Sequence, residues 1–332
     1  MPHQVMTIDA VEADFHRLAP GEDVRFAAML QTVVTHQQAC NPIYGRYCMS
    51  FPDWEAPLLP VEAFKHGVLA SCAAPEVVFE SSGTGQGAPG RHYVCKTTVY
   101  ERSFVEHFRA AFGEGPFTLV AHLPHYASRG GASSLLYMVR GLIERFGDAA
   151  SGFFLEDDAL FHRAIVHSTH VGTPFILFGA AFGLLDLVEQ GAPRLPEGAR
   201  VIETGGMKTY RRAIGRPALH EHLAAGFGVA RSQVVSEYGM CELLSQSYTR
   251  GEESFFAPPW VRMRVVDPGN PRVEQPDGVE GALAVVDLAN MYSVSALLTQ
   301  DRAVRVGDGF QVLGRLSGAE LRGCNFLLEQ LR

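Results

Sequence analysis

The sequence predicts an α/β fold: parallel sheets with flanking helices, followed by a small β-rich C-terminal portion. Two observations carry this. Between residues 97 and 237 short apolar strand signals alternate with helix signals, and strands so spaced pair in parallel through right-handed crossovers, with sites at their carboxyl ends. From Trp260 onward the texture changes to strands and turns. No linker or internal repeat marks a firm boundary, so the expected division is an α/β core over 1–250 and a β-rich portion of the same unit over 251–332.

The first fifty residues read as helical. Val24, Phe26, Ala27, Leu30, Val33 and Val34 recur at helical spacing, and the pattern stops at Cys40-Asn41-Pro42, since a proline disfavours helix in the residue before it. A crossing punctuated by Pro52, Pro57 and Pro60 then leads to the strand signal Val77-Val78-Phe79, and Arg91–Lys96 alternates like a second strand. Helices are predicted over 97–112, 133–146, 157–167, 182–190 and 212–225, and strands over 117–122, 152–155, 174–178, 200–203 and 233–237. Later strands are predicted over 261–266, 281–288, 303–306 and 309–313.

The stretch Phe79-Glu80-Ser81-Ser82-Gly83-Thr84-Gly85-Gln86-Gly87-Ala88-Pro89-Gly90-Arg91 reads as a phosphate loop. Hydroxyls and backbone N–H groups can close around an anion where glycines remove the Cβ clash. It is not a Walker A loop, because Gly90 is followed by Arg91 and His92 and no lysine arrives until Lys96. A dinucleotide fingerprint is matched literally by Gly85, Gly87 and Gly90, but that motif opens a helix, whereas this one leads into a strand. A loop between two strands suits a flexible clamp over a nucleoside triphosphate; the bland alternative is a glycine-rich hairpin with no ligand.

Composition sets bounds. With 332 residues, 47% hydrophobic and 19% charged, the chain can bury a large core, and a net charge of -8 gives no bulk attraction to nucleic acid or anionic membrane. The longest apolar run, 174–185, is too short to span a bilayer, and acidic residues stand where a signal peptide needs an apolar stretch, so the expected location is cytoplasmic. The six cysteines show no metal-binding spacing, and neither a zinc site nor a disulfide framework is expected from them.

Several predicted strand ends carry unusual residues. Leu123-Pro124-His125-Tyr126 opens toward a helix through Ser133-Ser134-Leu135, offering hydroxyls. Glu203-Thr204-Gly205-Gly206-Met207-Lys208 has a glycine pair that lets the backbone approach a flat ligand such as a purine. Ser236-Glu237-Tyr238-Gly239-Met240-Cys241-Glu242 brings an aromatic face and a carboxylate within a few positions.

Taken together these blocks resemble a known group. Ser81-Ser82-Gly83-Thr84-Gly85 looks like the phosphate loop of adenylate-forming ligases, Tyr238-Gly239-Met240-Cys241-Glu242 like their Tyr-Gly-x-Thr-Glu motif, and Thr299-Gln300-Asp301 with Gly314-Arg315 like their late ribose-binding motifs. More narrowly, the 123–138 and 203–208 blocks and Arg322-Gly323-Cys324 resemble the acyl-protein synthetase family, the acid-activating component of bacterial bioluminescence fatty acid reductases. The resemblance runs from Asn41 to Cys324 and implies the N-terminal-domain fold of adenylate-forming ligases.

It also implies a chemistry. ATP and Mg²⁺ would convert a fatty or aryl carboxylic acid to an acyl adenylate with loss of pyrophosphate, and the acyl group would pass to a protein thiol and then to a partner reductase or carrier protein. By the resemblance, Ser81, Ser82, Gly83, Thr84 and Gly85 hold the β- and γ-phosphates, and Glu242 is the Mg²⁺ ligand, oxygen-based as a hard ion prefers. Gly205 and Gly206 border adenine, Tyr238 stacks on it beside Gly239, Met240 and Cys241, Asp301 accepts the ribose hydroxyls, and Arg315 supports the ribose or phosphate side. Cys324 matches the acyl-carrying cysteine of the family.

Two departures stand beside this. Cys241 occupies the place of the motif's threonine, and a thiol is a much weaker hydrogen-bond donor to a phosphoryl oxygen. The chain ends at Arg332, soon after Gly314-Arg315, so the lid of larger ligases, with its catalytic lysine, is expected to be absent or a stub; Lys208, Arg211, Arg212 and Arg91 are candidate replacements. The alternative readings are a non-catalytic nucleotide-binding or scaffold member of a biosynthetic complex and, on the literal glycine fingerprint, a nicotinamide-dependent oxidoreductase.

Overall fold

A computed structural model of the chain describes residues 6–81, 88–124, 132–154, 158–205 and 214–316. By internal packing the chain divides into two units with interleaved segments. The first holds residues up to Ser103, Met240–Ser245 and the stretch from Ala257; the second holds Phe104–Gly239 and Gln246–Phe256.

In the second unit, strands β4 (Thr118–His122), β5 (Gly152–Phe153), β6 (Phe175–Ala180), β7 (Arg200–Thr204) and β8 (Val234–Tyr238) pair in parallel in the order β5-β4-β6-β7-β8. Two short strands, β9 (Ser247–Thr249) and β10 (Phe255–Phe256), extend this sheet antiparallel beyond β8. Helices α5 (Ser134–Phe146), α6 (Asp158–Val171), α7 (Ala181–Glu189) and α8 (Arg216–Phe227) connect the parallel strands. Every β4 and β6 residue is buried, as strands covered on both faces must be, and Leu177, Val201, Leu219, Leu223, Phe227 and Val234 share one core with the stacked rings of Phe154 and Phe161. The strand order reverses at β4, and Pro124, Ala180, Gly205 and Gly239 follow or end the carboxyl edges, where open α/β sheets bind ligands.

In the first unit, β11 (Val261–Val266), β12 (Glu280–Asp287), β13 (Ala296–Val306) and β14 (Gly309–Arg315) form an antiparallel meander, and β1 (Leu59–Pro60) joins β13 in parallel. A separate hairpin of β2 (Val77–Glu80) and β3 (Arg91–Val94) carries the glycine-rich loop. Helices α1 (Ile8–Asp14), α2 (Asp23–Cys40) and α3 (Pro42–Met49) complete the unit, and α4 (Thr97–Phe112) leads out of it. Pro42 ends α2 as expected and also starts α3, for Asn41 caps the new helix by accepting from the Tyr44 N–H and a proline at the first position needs no donor. Tyr44 and Tyr47 are wholly buried, and their hydroxyls donate to the Pro57 and Leu58 carbonyls (2.9 and 2.7 Å), which delivers the proline-rich crossing to β1.

One expectation is corrected. Cys72 and Cys95 form a disulfide, 23 residues apart with Cα atoms separated by 6.0 Å. Their spacing carried no pattern; they meet because the β2–β3 hairpin, with Val77 opposite Val94, returns the chain to its own foot. No described helix is long and apolar enough to cross a membrane.

Candidate active site

In the first unit, Ser81 closes the base of the glycine-rich loop. Its N–H donates to the Gly90 carbonyl (2.9 Å) and its Oγ accepts from the Gly90 N–H (2.8 Å), a bond that leaves the hydroxyl proton to donate elsewhere. Arg91 is spent on Glu80, 3.0 Å away at the exposed edge. Ser82, Gly83, Thr84 and Gly85 lie outside the described residues.

Glu242 stands beside this base. Burial pushes its carboxyl above the ordinary carboxylate range; Glu62 adds to the rise, and Arg315 and Lys65 oppose it. The Glu62 carboxyl is raised by burial too, and both its oxygens are buried with no hydrogen-bond partner on another described residue. Two half-buried carboxylates that feel each other's charge, with an arginine and a lysine near, are oxygen donors suited to a hard divalent cation. No group of three or more His, Cys, Asp or Glu side chains that could hold a metal ion occurs among the described residues.

The backbone of the turn that carries Glu242 is held from two sides. His92, on β3, is wholly buried, and its Nδ1 lies 2.8 Å from the Cys241 carbonyl; a carbonyl only accepts, so Nδ1 carries the proton. Nε2 then accepts from Ser293 Oγ at 2.9 Å. Burial holds this ring's pKa down to about 4, so it is neutral at pH 7. Asn290 Nδ2 donates to the Glu242 carbonyl (2.8 Å), and its Oδ1 accepts from the Leu244 N–H (3.0 Å). The Cys241 thiol is buried and pushed well above its usual pKa by that burial, with Glu242 and Glu80 adding to the effect.

On the meander, Asp301 stands opposite Arg315 across β13 and β14, with Arg315 Nε 3.2 Å from its Oδ1. Asp301 is buried; the Arg315 side chain is about half exposed at 51% and also donates to Gln300 Oε1 (3.0 Å).

In the second unit the ends of β7 and β8 carry a buried polar network. Thr204 Oγ1 donates to Glu237 Oε2, and Ser236 Oγ donates to Glu203 Oε1. His220, from α8, places Nε2 2.9 Å from Ser236 Oγ and 3.2 Å from Glu203 Oε1. Burial raises the Glu237 carboxyl to about 7, against the Thr204 hydrogen bond and with Glu203 adding to the rise. Gly205 follows β7 at φ 87°, and Gly239 follows Tyr238, where a Cβ would meet Glu237 Oε1 at 2.5 Å. Tyr238 is half-buried, its ring 5.8 Å from that of Phe255.

Of the sequence-derived candidates, Ser81, Cys241, Glu242, Asp301 and Arg315 thus lie in the first unit with Met240, and Gly205, Tyr238 and Gly239 in the second. Gly206, Lys208, Arg211, Arg212 and Cys324 lie outside the described residues. Sequence reasoning quoted Glu203 and Glu237 within their blocks without giving them a role, and passed over Glu62, His92, Asn290 and His220. His92 had one signal, its position two residues past the loop, and Glu237 another, its place beside Tyr238; Asn290 had none.

The acyl-protein synthetase family, LuxE, matches residues 164–331, half of the chain. The chain belongs to that family. Solved structures agree on the fold. A 2-hydroxyisobutyryl-CoA ligase, solved in the postadenylation state with R3-HIB-AMP, superposes at a TM-score of 0.65 with 13% identity over 90% of this chain and 69% of its own. The same ligase in an open conformation with 2-HIB-AMP and CoA gives 0.64 at 12% identity, over 91% and 72%. ATP-bound MatB from Rhodopseudomonas palustris gives 0.53 at 18% identity, covering 72% of this chain and 47% of MatB, so this chain spans about half of MatB's length. A comparison with curated proteins found no match. The chain therefore has the fold of adenylate-forming ligases.

Proposed function

We propose that this LuxE-family chain condenses a carboxylic acid, fatty or aryl, with ATP to an acyl adenylate and passes the acyl group to a protein thiol. In the first step a carboxylate oxygen attacks the α-phosphorus and pyrophosphate leaves; in the second a thiolate attacks the acyl carbon and AMP leaves. The observation that carries the reading is the abutment of Gly90 and Ser81, which close the glycine-rich loop, against the half-buried Glu242 carboxylate in a chain of this family and fold.

Glu242, with Glu62 near it, would hold Mg²⁺, and the ion would neutralise charge on the phosphates during transfer. The loop's N–H groups and hydroxyls orient those phosphates, while Arg315 supplies fixed positive charge near Glu242. Asp301 accepts from ribose hydroxyls, and Gly205, Gly206, Tyr238 and Gly239 border adenine. Cys324 takes the acyl group as a thioester, and a reductase or carrier protein receives it.

Acid-dependent ATP–pyrophosphate exchange across a panel of fatty and aryl acids tests the first half; no exchange with any acid overturns it. Mass spectrometry after incubation with ATP, Mg²⁺ and the active acid tests the second. One acyl mass, labile to neutral hydroxylamine and lost in Cys324→Ser while exchange persists, is the expected result. One observation favours a second reading, a non-catalytic nucleotide-binding partner: the buried, protonated Cys241 thiol where the motif has a hydroxyl. ATP binding without exchange would establish that reading.

A further inference from the structure

The turn that carries Glu242 makes two successive backbone carbonyls available, those of Cys241 and Glu242, and each is taken by a buried side chain from a different part of the first unit. His92 comes from the strand that leaves the glycine-rich loop, and Asn290 comes from the short turn after β12. Ser293 joins them, donating to His92 Nε2 at 2.9 Å with its Oγ 3.3 Å from the Asn290 carbonyl. The Asn290 turn is itself braced from the N-terminal helices: Gln37 Nε2 donates to the Asn290 carbonyl (3.0 Å) and Asn41 Nδ2 to the Ser293 carbonyl (3.1 Å). His92 is wholly buried and packs edge-on against Phe64, so it cannot meet substrate.

We propose that His92 and Asn290 are positioning residues which fix the Cys241–Glu242 backbone and so set the Glu242 carboxylate for its cation. The inference rests on the reading of Glu242 as the metal-binding carboxylate. An imidazole suits this place because it both donates and accepts at a fixed spacing; its Nδ1–H reaches the Cys241 carbonyl while Nε2 takes the Ser293 proton. The peptide is thereby tied to the strand at the exit of the phosphate loop. Outer partners of this kind orient a ligand without touching the ion.

The test uses three variants of the full chain. An asparagine amide stands where Nδ1 stood, whereas a glutamine amide reaches the Nε2 position; phenylalanine keeps volume and loses both bonds. His92→Asn should hold the half-saturating Mg²⁺ of pyrophosphate exchange within about twofold of the parent, while His92→Gln and His92→Phe raise it by about tenfold, the loss of roughly one hydrogen bond's worth of ordering. The second readout needs no turnover. Amide hydrogen exchange at Leu243 and Leu244, whose N–H groups bond Met240 O and Asn290 Oδ1, should speed up in the glutamine and phenylalanine variants and not in the asparagine one. Unchanged protection of these amides in all three overturns the clamp. Faster amide exchange with unaltered Mg²⁺ dependence separates the clamp from any role toward the cation and also overturns the proposal. A parent protein that shows no pyrophosphate exchange with any acid sinks the metal reading on which the proposal rests, while the amide data still decide the clamp.

Discussion

Gly90 lies against Glu242: a Cβ at position 90 would stand 2.9 Å from Glu242 Oε1 and 3.3 Å from Ser81 Oγ. Contacts that short force one partner to move, and the carboxylate is the more mobile. Gly90→Ala should therefore leave the fold intact and displace the carboxylate, raising the Mg²⁺ needed for half-maximal exchange by about tenfold, equivalent to ~1.4 kcal/mol. A Mg²⁺ titration of exchange checks it; unaltered dependence in a folded variant would separate Glu242 from the cation.

Asp301 offers a second handle. If its carboxylate accepts ribose hydroxyls, Asp301→Asn should weaken ATP binding by roughly 10- to 100-fold, the range of one or two charge-assisted hydrogen bonds. Stability should change by about 1 kcal/mol or less from loss of the Arg315 pair, because that arginine is half exposed and its attraction is screened. Calorimetric titration with ATP reads the first effect and thermal unfolding the second.

The thiol of Cys241 invites substitution in the other direction. Replacing it by the motif's threonine restores a strong hydroxyl donor beside Glu242, and Cys241→Thr should speed exchange by up to about tenfold if one hydrogen bond is regained in the transition state. A slower variant would assign the thiol a role of its own.

Stability should depend on pH through groups buried against their charged forms. His92 and His107 are both held down to about 4 from the ordinary 6.5, chiefly by burial, so the stability they lend is complete above pH 6.5 and is lost as pH falls through 4. Glu237 has the opposite sign: raised from 4.5 to about 7, it favours the fold most below pH 4.5, and that contribution is gone above 7. Between pH 4.5 and 6.5 the carboxyl offsets one of the two imidazoles. Glu237→Gln keeps an acceptor for Thr204 and removes the penalty, so the variant should gain up to about 3 kcal/mol at pH 8, nothing near pH 4, and fall more steeply than the parent on acidification. Calorimetric melting at pH 8, 6 and 4.5 measures this; equal shifts at all three would mean that the carboxyl does not titrate in that window.

The parallel half of the fold was legible because its signals are local. Helix α4 spans the predicted 97–112, with Tyr100, Phe104 and Phe108 buried four residues apart, and β4 and β6 to β8 fall within a residue or two of their expected ends. What escaped depends on distant partners. β1 is two residues long and exists through Leu59 opposite Leu297, and β9 and β10 are too short for any period to show. The expected division at residue 250 follows texture, which does change near 260, whereas packing sorts the chain by contact and assigns Met240–Ser245 to the unit formed by both chain ends. The candidate residues divide in the same way. Glu242 and Asp301 stand in recognisable motifs, but His92 and Asn290 act on backbone carbonyls, and no residue spacing encodes a bond between positions 149 residues apart in one case and 48 in the other.

The interleaving has a consequence for synthesis. A ribosome delivers α1 to α3, β1 and the β2–β3 hairpin first, yet β1 waits for Leu297, Gln37 for Asn290 and Ser295, and Asn41 for Ser293. The stretch from Phe104 to Gly239, by contrast, emerges with its parallel strands in sequence and most of its own core in hand. The middle of the chain can therefore order while the preceding segment is still incomplete, so residues made before it are satisfied after it. During that delay the buried side chains of α2 and α3 lack the later partners that cover them in the finished fold.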